Sequence, residues 1–124
     1  MDEFGDSTHA REVQRLRSSL QRLGDALPGP MQAFARLEST AIADGALPAK
    51  SKILMALAIG IASRCDGCAA FYVQKALRAG STRDEISEAI GVAVLMGGGP
   101  AAVYGAHAME ALDEFSECMA PGGG

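Results

Sequence analysis

Apolar residues recur along this chain at spacings of three and four, and no stretch shows the strict alternation joined by tight turns that marks a β-hairpin. The pattern predicts six helices. The first covers about Thr8 to Leu23, with Val13, Leu16, Leu20 and Leu23 on one face and charged residues on the other, so it needs a partner surface. Beyond Leu27-Pro28-Gly29-Pro30 a second helix is expected from about Met31 to Ala43, presenting Phe34, Leu37 and Ala41 on one side, with Asp44-Gly45 closing it. Pro48 opens a third that reaches about Ser63. The fourth begins close to Cys65 and ends where Gly80 can take the left-handed C-terminal conformation. Thr82 and Glu85 have the spacing of a capping box, which starts a fifth helix over about Arg83 to Met96. Gly97-Gly98-Gly99-Pro100 then separates it from a sixth, about Ala101 to Glu117, and residues 118–124 read as a flexible tail.

Composition agrees with an all-α reading: 48% of the residues are apolar but only 5% aromatic, so the core must be built from Ala, Leu, Ile, Val and Met. With 124 residues the chain holds one domain, 1–124, in which residues 1–46 form N-terminal helices and 47–117 the core that carries the cysteine pair. The third, fifth and sixth helices are dense in Ala and Gly, and the third and fifth are apolar nearly all round, more than a lone small bundle can cover. A homo-oligomer is therefore expected. Met55 and Met96 read as core fillers.

A formal charge of -4 without a Lys/Arg cluster argues against a nucleic-acid partner. The charged N-terminus lacks the pattern of a secretory signal, and the apolar run Ile53 to Ala62 is well short of the ~20 residues that cross a bilayer. The expectation is a cytoplasmic protein without a membrane partner, where three cysteines do not make a structural disulfide framework.

A close cysteine pair in such a compartment points to redox chemistry or a metal. Cys65-Asp66-Gly67-Cys68 places two thiols three residues apart at a helix start, near enough for a short disulfide, and helix N-terminal amides favour a thiolate on the first-turn cysteine. Two plainer readings stand beside this. Both cysteines can be small core residues, and a zinc site would have to recruit Cys118, His107 or His9, none of which shows a second paired spacing. The glycines at 97–99 lack the Lys-Ser/Thr of a phosphate-binding loop and follow a helix, so they read as a linker.

The segments ASRCDGC, ALRAGSTRDEI and LMGGGPA, within a match that runs from Leu47 to Phe115, resemble the carboxymuconolactone decarboxylase and alkyl hydroperoxidase D-like (AhpD-like) family. That resemblance implies an all-α, AhpD-like helical bundle assembled as an obligate oligomer, trimers or multiples of them, without metal or organic cofactor. It also implies Cys65 and Cys68 as catalytic thiols acting on a small peroxide or disulfide, re-reduced by a thiol reductant protein. In the AhpD-like redox pattern a Glu lies twelve residues before the first Cys and a His four after the second. Those positions here are Ile53 and Tyr72. Ile53 exchanges no protons, and a phenol stays protonated at neutral pH, so the usual relay is missing as written.

Three readings follow from that departure. Thiol chemistry persists in weakened or altered form, supported by Arg64, by a hydrogen bond from Tyr72 and by His107 as the best replacement base. Alternatively the site is degenerate, natural or engineered, and Ile53, Ala69, Phe71 and Tyr72 line an apolar pocket beside the thiols, or assembly itself is the role. A carboxymuconolactone decarboxylase-like lyase is third, with only Tyr72, His107 and Arg64 to manage a carboxylate. Tyr104 reads as packing, Glu110, Asp113 and Glu114 as a solvated face, and Cys118 as a thiol near a mobile end.

Overall fold

The computed structural model describes residues 3–65 and 67–119, and every regular element among them is helical: α1 Thr8–Ala26, α2 Pro28–Ile42, α3 Ala49–Ala62, α4 Cys68–Arg78 and α5 Arg83–Met119. The capping box is realised in full, with the Thr82 N–H donating to Glu85 Oε1 at 2.8 Å and the Glu85 N–H donating to Thr82 Oγ1 at 3.1 Å. Some boundaries differ from expectation. Pro28 opens α2 at its first position, where a missing N–H costs nothing, so Leu27-Pro28-Gly29-Pro30 starts the helix instead of separating it. At the other end α5 continues to Met119, so Cys118 is helical and half-buried, with Gly5 against its sulfur; the remainder of the expected tail, 120–124, lies outside the described residues.

Helix α5 is two rods. Gly98 takes φ 71 and ψ -152, a backbone region that side chains other than glycine essentially never occupy, and the helix folds back there. Cross-contacts establish the antiparallel register: Arg83 pairs with Asp113, the Ser87 hydroxyl meets the Met109 sulfur at 3.7 Å, and a Cβ on Gly105 would stand 3.0 Å from Ile90 Cγ2. The six helical rods expected from periodicity are therefore present, joined at a sharper corner than a loose linker would make.

Buried apolar side chains concentrate in α3, α4 and both arms of α5, where Leu57, Ile61, Val73, Ile86, Leu112 and Phe115 are fully enclosed. Ala76, Ala93, Ala101, Ala108 and Ala111 fill the narrow spaces between them, which is how the rods approach so closely without aromatic bulk. By contrast α2 buries no residue, and α1 buries only Ala10 and Val13.

Several apolar side chains stay outside. Ile59 on α3 and Val92, Leu95, Met96 and Val103 on α5 form an uncovered strip, Leu95 being 78% and Met96 77% exposed. Met55 is exposed as well, so Met55 and Met96 are surface residues and not the core fillers expected, because the turn of each helix that carries them faces away from the bundle. Residues 89–106 carry no charged side chain, an apolar stretch longer than Ile53 to Ala62, and by length and composition alone α5 would suffice to cross a membrane. The fold-back at Gly98 divides that stretch between two rods.

Candidate functional site

The cysteine pair sits in the turn between α3 and α4. Helix α4 begins at Cys68 and not near Cys65, because Gly67, at φ 83, reverses the backbone just ahead of it. Cys65 donates its N–H to the Gly60 carbonyl at 3.0 Å and its own carbonyl accepts from Cys68 N–H at 3.3 Å, which fixes the turn from both sides. With Cα atoms 5.4 Å apart, the two residues are joined as a disulfide. Gly60 makes room for them: a Cβ there would lie 3.2 Å from the Cys68 Cβ. The first-turn cysteine, exposed to the N-terminal amides of α4, is thus Cys68.

Beside the turn lies an open groove of about 650 Å³ with three walls. Helix α1 supplies Thr8, Glu12, Arg15, Leu16 and Ser19, which share one face at spacings of three and four. The cysteine turn and α4 contribute Cys65, Gly67, Ala69 and Ala70. Tyr104, His107 and Glu110, three residues apart on the second arm of α5, close the third side. Cys65 is thus the member of the pair that faces the groove.

His9 ties two walls together. Its Nδ1 lies 3.4 Å from Glu12 Oε2 and its Nε2 3.3 Å from Glu110 Oε2, while its backbone N–H donates to Glu114 at 3.3 Å. Doubly protonated, the ring donates to both carboxylates; neutral, to one. The rings of Tyr104 and His107 meet edge-on with centroids 6.3 Å apart.

Of the residues singled out from the sequence, Cys65, Ala69 and His107 line this groove. Cys68 lies directly behind, in the disulfide. Ile53 is buried within α3 and does not line it. Phe71 turns toward α1 instead, with the Arg17 guanidinium 5.1 Å and the Lys75 ammonium 5.2 Å from its ring centre. Tyr72 packs edge-on against Phe71 at 5.4 Å, so the expected pocket of Ile53, Phe71 and Tyr72 beside the thiols is not the cavity that Cys65 faces. Arg64, at φ 56, is exposed and outside the lining. Glu38 reaches across from α2 to pair with Lys75. Among the described residues no group of three or more His, Cys, Asp or Glu side chains is arranged to hold a metal ion.

Sequence reasoning missed His9, Glu12, Arg15, Tyr104 and Glu110 as parts of one site. The signal was there in the helical recurrence of polar residues at 8, 12, 15 and 19, which periodicity alone reads as part of the charged side of an amphipathic helix.

Comparison with known proteins adds a second line of evidence. The profile of the carboxymuconolactone decarboxylase family matches residues 28–111. An uncharacterised protein of Cupriavidus necator is 40% identical over 94 residues, covering 76% of this chain and 83% of its own length. A crystal structure of a carboxymuconolactone decarboxylase family protein from Legionella pneumophila superposes with a TM-score of 0.84 at 37% identity, over 90% of this chain and 99% of that one. Another family member, from Thermotoga maritima, for which a part in the antioxidative response has been suggested, gives a TM-score of 0.76 at 27% identity over 85% and 90% of the two chains.

Proposed function

This chain belongs to the carboxymuconolactone decarboxylase family, and we propose that within it the protein is a thiol oxidoreductase in which Cys65 and Cys68 reduce a peroxide and are restored by thiol–disulfide exchange. The observation that carries this reading is the juxtaposition of the bonded pair with a groove that Cys65 faces and His107 overlooks.

The Cys65 thiolate attacks one peroxide oxygen and breaks the O–O bond; the departing oxygen takes a proton and leaves as an alcohol, and Cys65 becomes a sulfenic acid. Cys68 then displaces the hydroxyl as water, joining the sulfurs, so two electrons pass from the thiols to the peroxide. A dithiol reductant reopens the bond at Cys65, expelling the Cys68 thiolate. Amides at the start of α4 stabilise that leaving group. Two imidazoles line the groove, imidazole being the common neutral-pH base, and with His9 placed against Glu12 and Glu110 it is His107 that takes the Cys65 proton. It stands in for the Glu and His that the AhpD-like pattern has at Ile53 and Tyr72, with slower turnover as the expected consequence. The suggested antioxidative part of the Thermotoga relative supports the same reading.

Counting thiols before and after cumene hydroperoxide tests it. Two of the three cysteines should disappear together, and Cys68→Ser should halt the reaction at a sulfenic acid on Cys65 that a trapping reagent labels. Cysteines that stay unmodified would sink the proposal.

Thiol cycling suits a reducing compartment, and we place the protein in the cytoplasm. The uncovered strip at Ile59, Val92, Leu95 and Met96 supports a homo-oligomer, a trimer or a multiple of it, with this strip at the subunit interface. Sedimentation at micromolar concentration should give an oligomer that Leu95→Asp dissociates; a monomeric parent chain would remove the interface.

A further inference from the structure

The groove is far larger than hydrogen peroxide requires, and its lining distinguishes among bulkier substrates. Leu16, Ala69 and Ala70 give it an apolar side. The two carboxylates among the described lining residues, Glu12 and Glu110, both lie beside the His9 ring, at 3.4 and 3.3 Å. Arg15, the one Lys or Arg among the described lining residues, lies one helical turn from Glu12 and next to Leu16, and makes no ion pair or side-chain hydrogen bond among the described residues. A guanidinium fork matches a carboxylate with two parallel hydrogen bonds, which an exposed lysine would not reproduce.

We infer that the groove selects a small amphipathic organic anion, a carboxylate-bearing hydroperoxide, whose carboxylate docks on Arg15 while its hydrocarbon body lies on Leu16, Ala69 and Ala70 and its peroxide reaches Cys65. The inference rests on the proposed thiol chemistry for the identity of the reacting group, but the anion site itself is independent of it. Arg15 is a positioning and specificity residue, since nothing in the chemistry requires its charge at sulfur.

Binding of an inert probe separates the two ideas. In a titration of 4-isopropylbenzoate followed by protein NMR, the amide signals of residues 8–19, 65–70 and 104–110 should shift. 4-Isopropylbenzamide, equal in shape but neutral, should bind at least about tenfold more weakly. Arg15→Gln should weaken the acid about tenfold and leave the amide unchanged, and Arg15→Lys should fall between. Equal binding of acid and amide, unaltered binding by Arg15→Gln, shifts confined to other surfaces, or no shift at all would each overturn the anion site. Cysteines inert to cumene hydroperoxide in a protein that still binds the acid through Arg15 would instead end the thiol chemistry and, with it, the hydroperoxide identity of the ligand, while the anion site stands.

Discussion

The bundle of α3, α4 and α5 and the outer pair α1 and α2 are built by opposite rules. In the bundle Leu57, Ile61, Val73, Ile86 and Leu112 are fully buried and alanines let the rods close to near contact, whereas α2 buries nothing and carries Phe34 and Leu37 in the open. Yet α1 contributes the larger polar share of the groove, while the bundle contributes the sulfurs. The sulfurs thus sit beside the closely packed bundle, and much of the groove's polar lining sits on a helix held by a few polar contacts such as His9 to Glu110 and Arg17 to Gln74.

The sharpest way to break this contrast is to truncate both regions. Leu112→Ala should cost about 2–5 kcal/mol in urea unfolding, because the side chain is fully buried and its truncation leaves a cavity. Phe34→Ala should change the stability of the isolated chain by less than about 0.5 kcal/mol. Comparable losses would mean that α2 is as integral as α4. Next in size, Gly98→Ala should cost about 1–3 kcal/mol, since alanine cannot hold that backbone conformation without strain. Thr82→Ala, which removes one arm of the capping box, should cost about 1 kcal/mol.

That cap also carries a pH signature. The Thr82 N–H, and after it the Lys50 ammonium, hold the Glu85 carboxyl below the ordinary glutamate range. A depressed folded value contributes stability that is complete above the ordinary range and is lost as pH falls through the depressed one. Glu85→Gln should accordingly flatten the acid limb of a stability–pH curve; an unchanged limb would assign it to other carboxylates. The smallest expected effect is that of His9→Ala, under about 1 kcal/mol globally, but with faster amide exchange confined to α1. Equal acceleration in α3 would show that the outer helix is not independently mobile.

Much of the bundle was legible from residue order. The Thr82 and Glu85 pair marked the start of α5 correctly, and Gly97-Gly98-Gly99-Pro100 marked its fold-back, because both signals depend on local backbone chemistry. The site was legible only in part, at its sulfurs, Ala69 and His107. Periodicity places Arg15 and Glu12 on one face of α1, but it does not say which helix that face will meet, and a polar face defaults to solvent in such a reading. The start of α4 slipped from Cys65 to Cys68 for a related reason: Gly67 between the cysteines reads as a weak helix residue, and only its left-handed backbone reveals a turn. Phe71 and Tyr72 were expected to line an apolar pocket beside the thiols, Tyr72 at the position of the family's His, whereas the rotation of α4 points Phe71 at Arg17.

The corner at Gly98 has a topological consequence. Straightened, the 37 residues of α5 would extend about 55 Å, well past a domain of this length, which is roughly 35 Å across. The second arm, with Tyr104, His107 and Glu110, would then project from its own molecule while its apolar side sought the mate it had lost. A neighbouring chain in the same state offers that mate, so opening this one hinge would exchange arms between two copies and rebuild each groove from both.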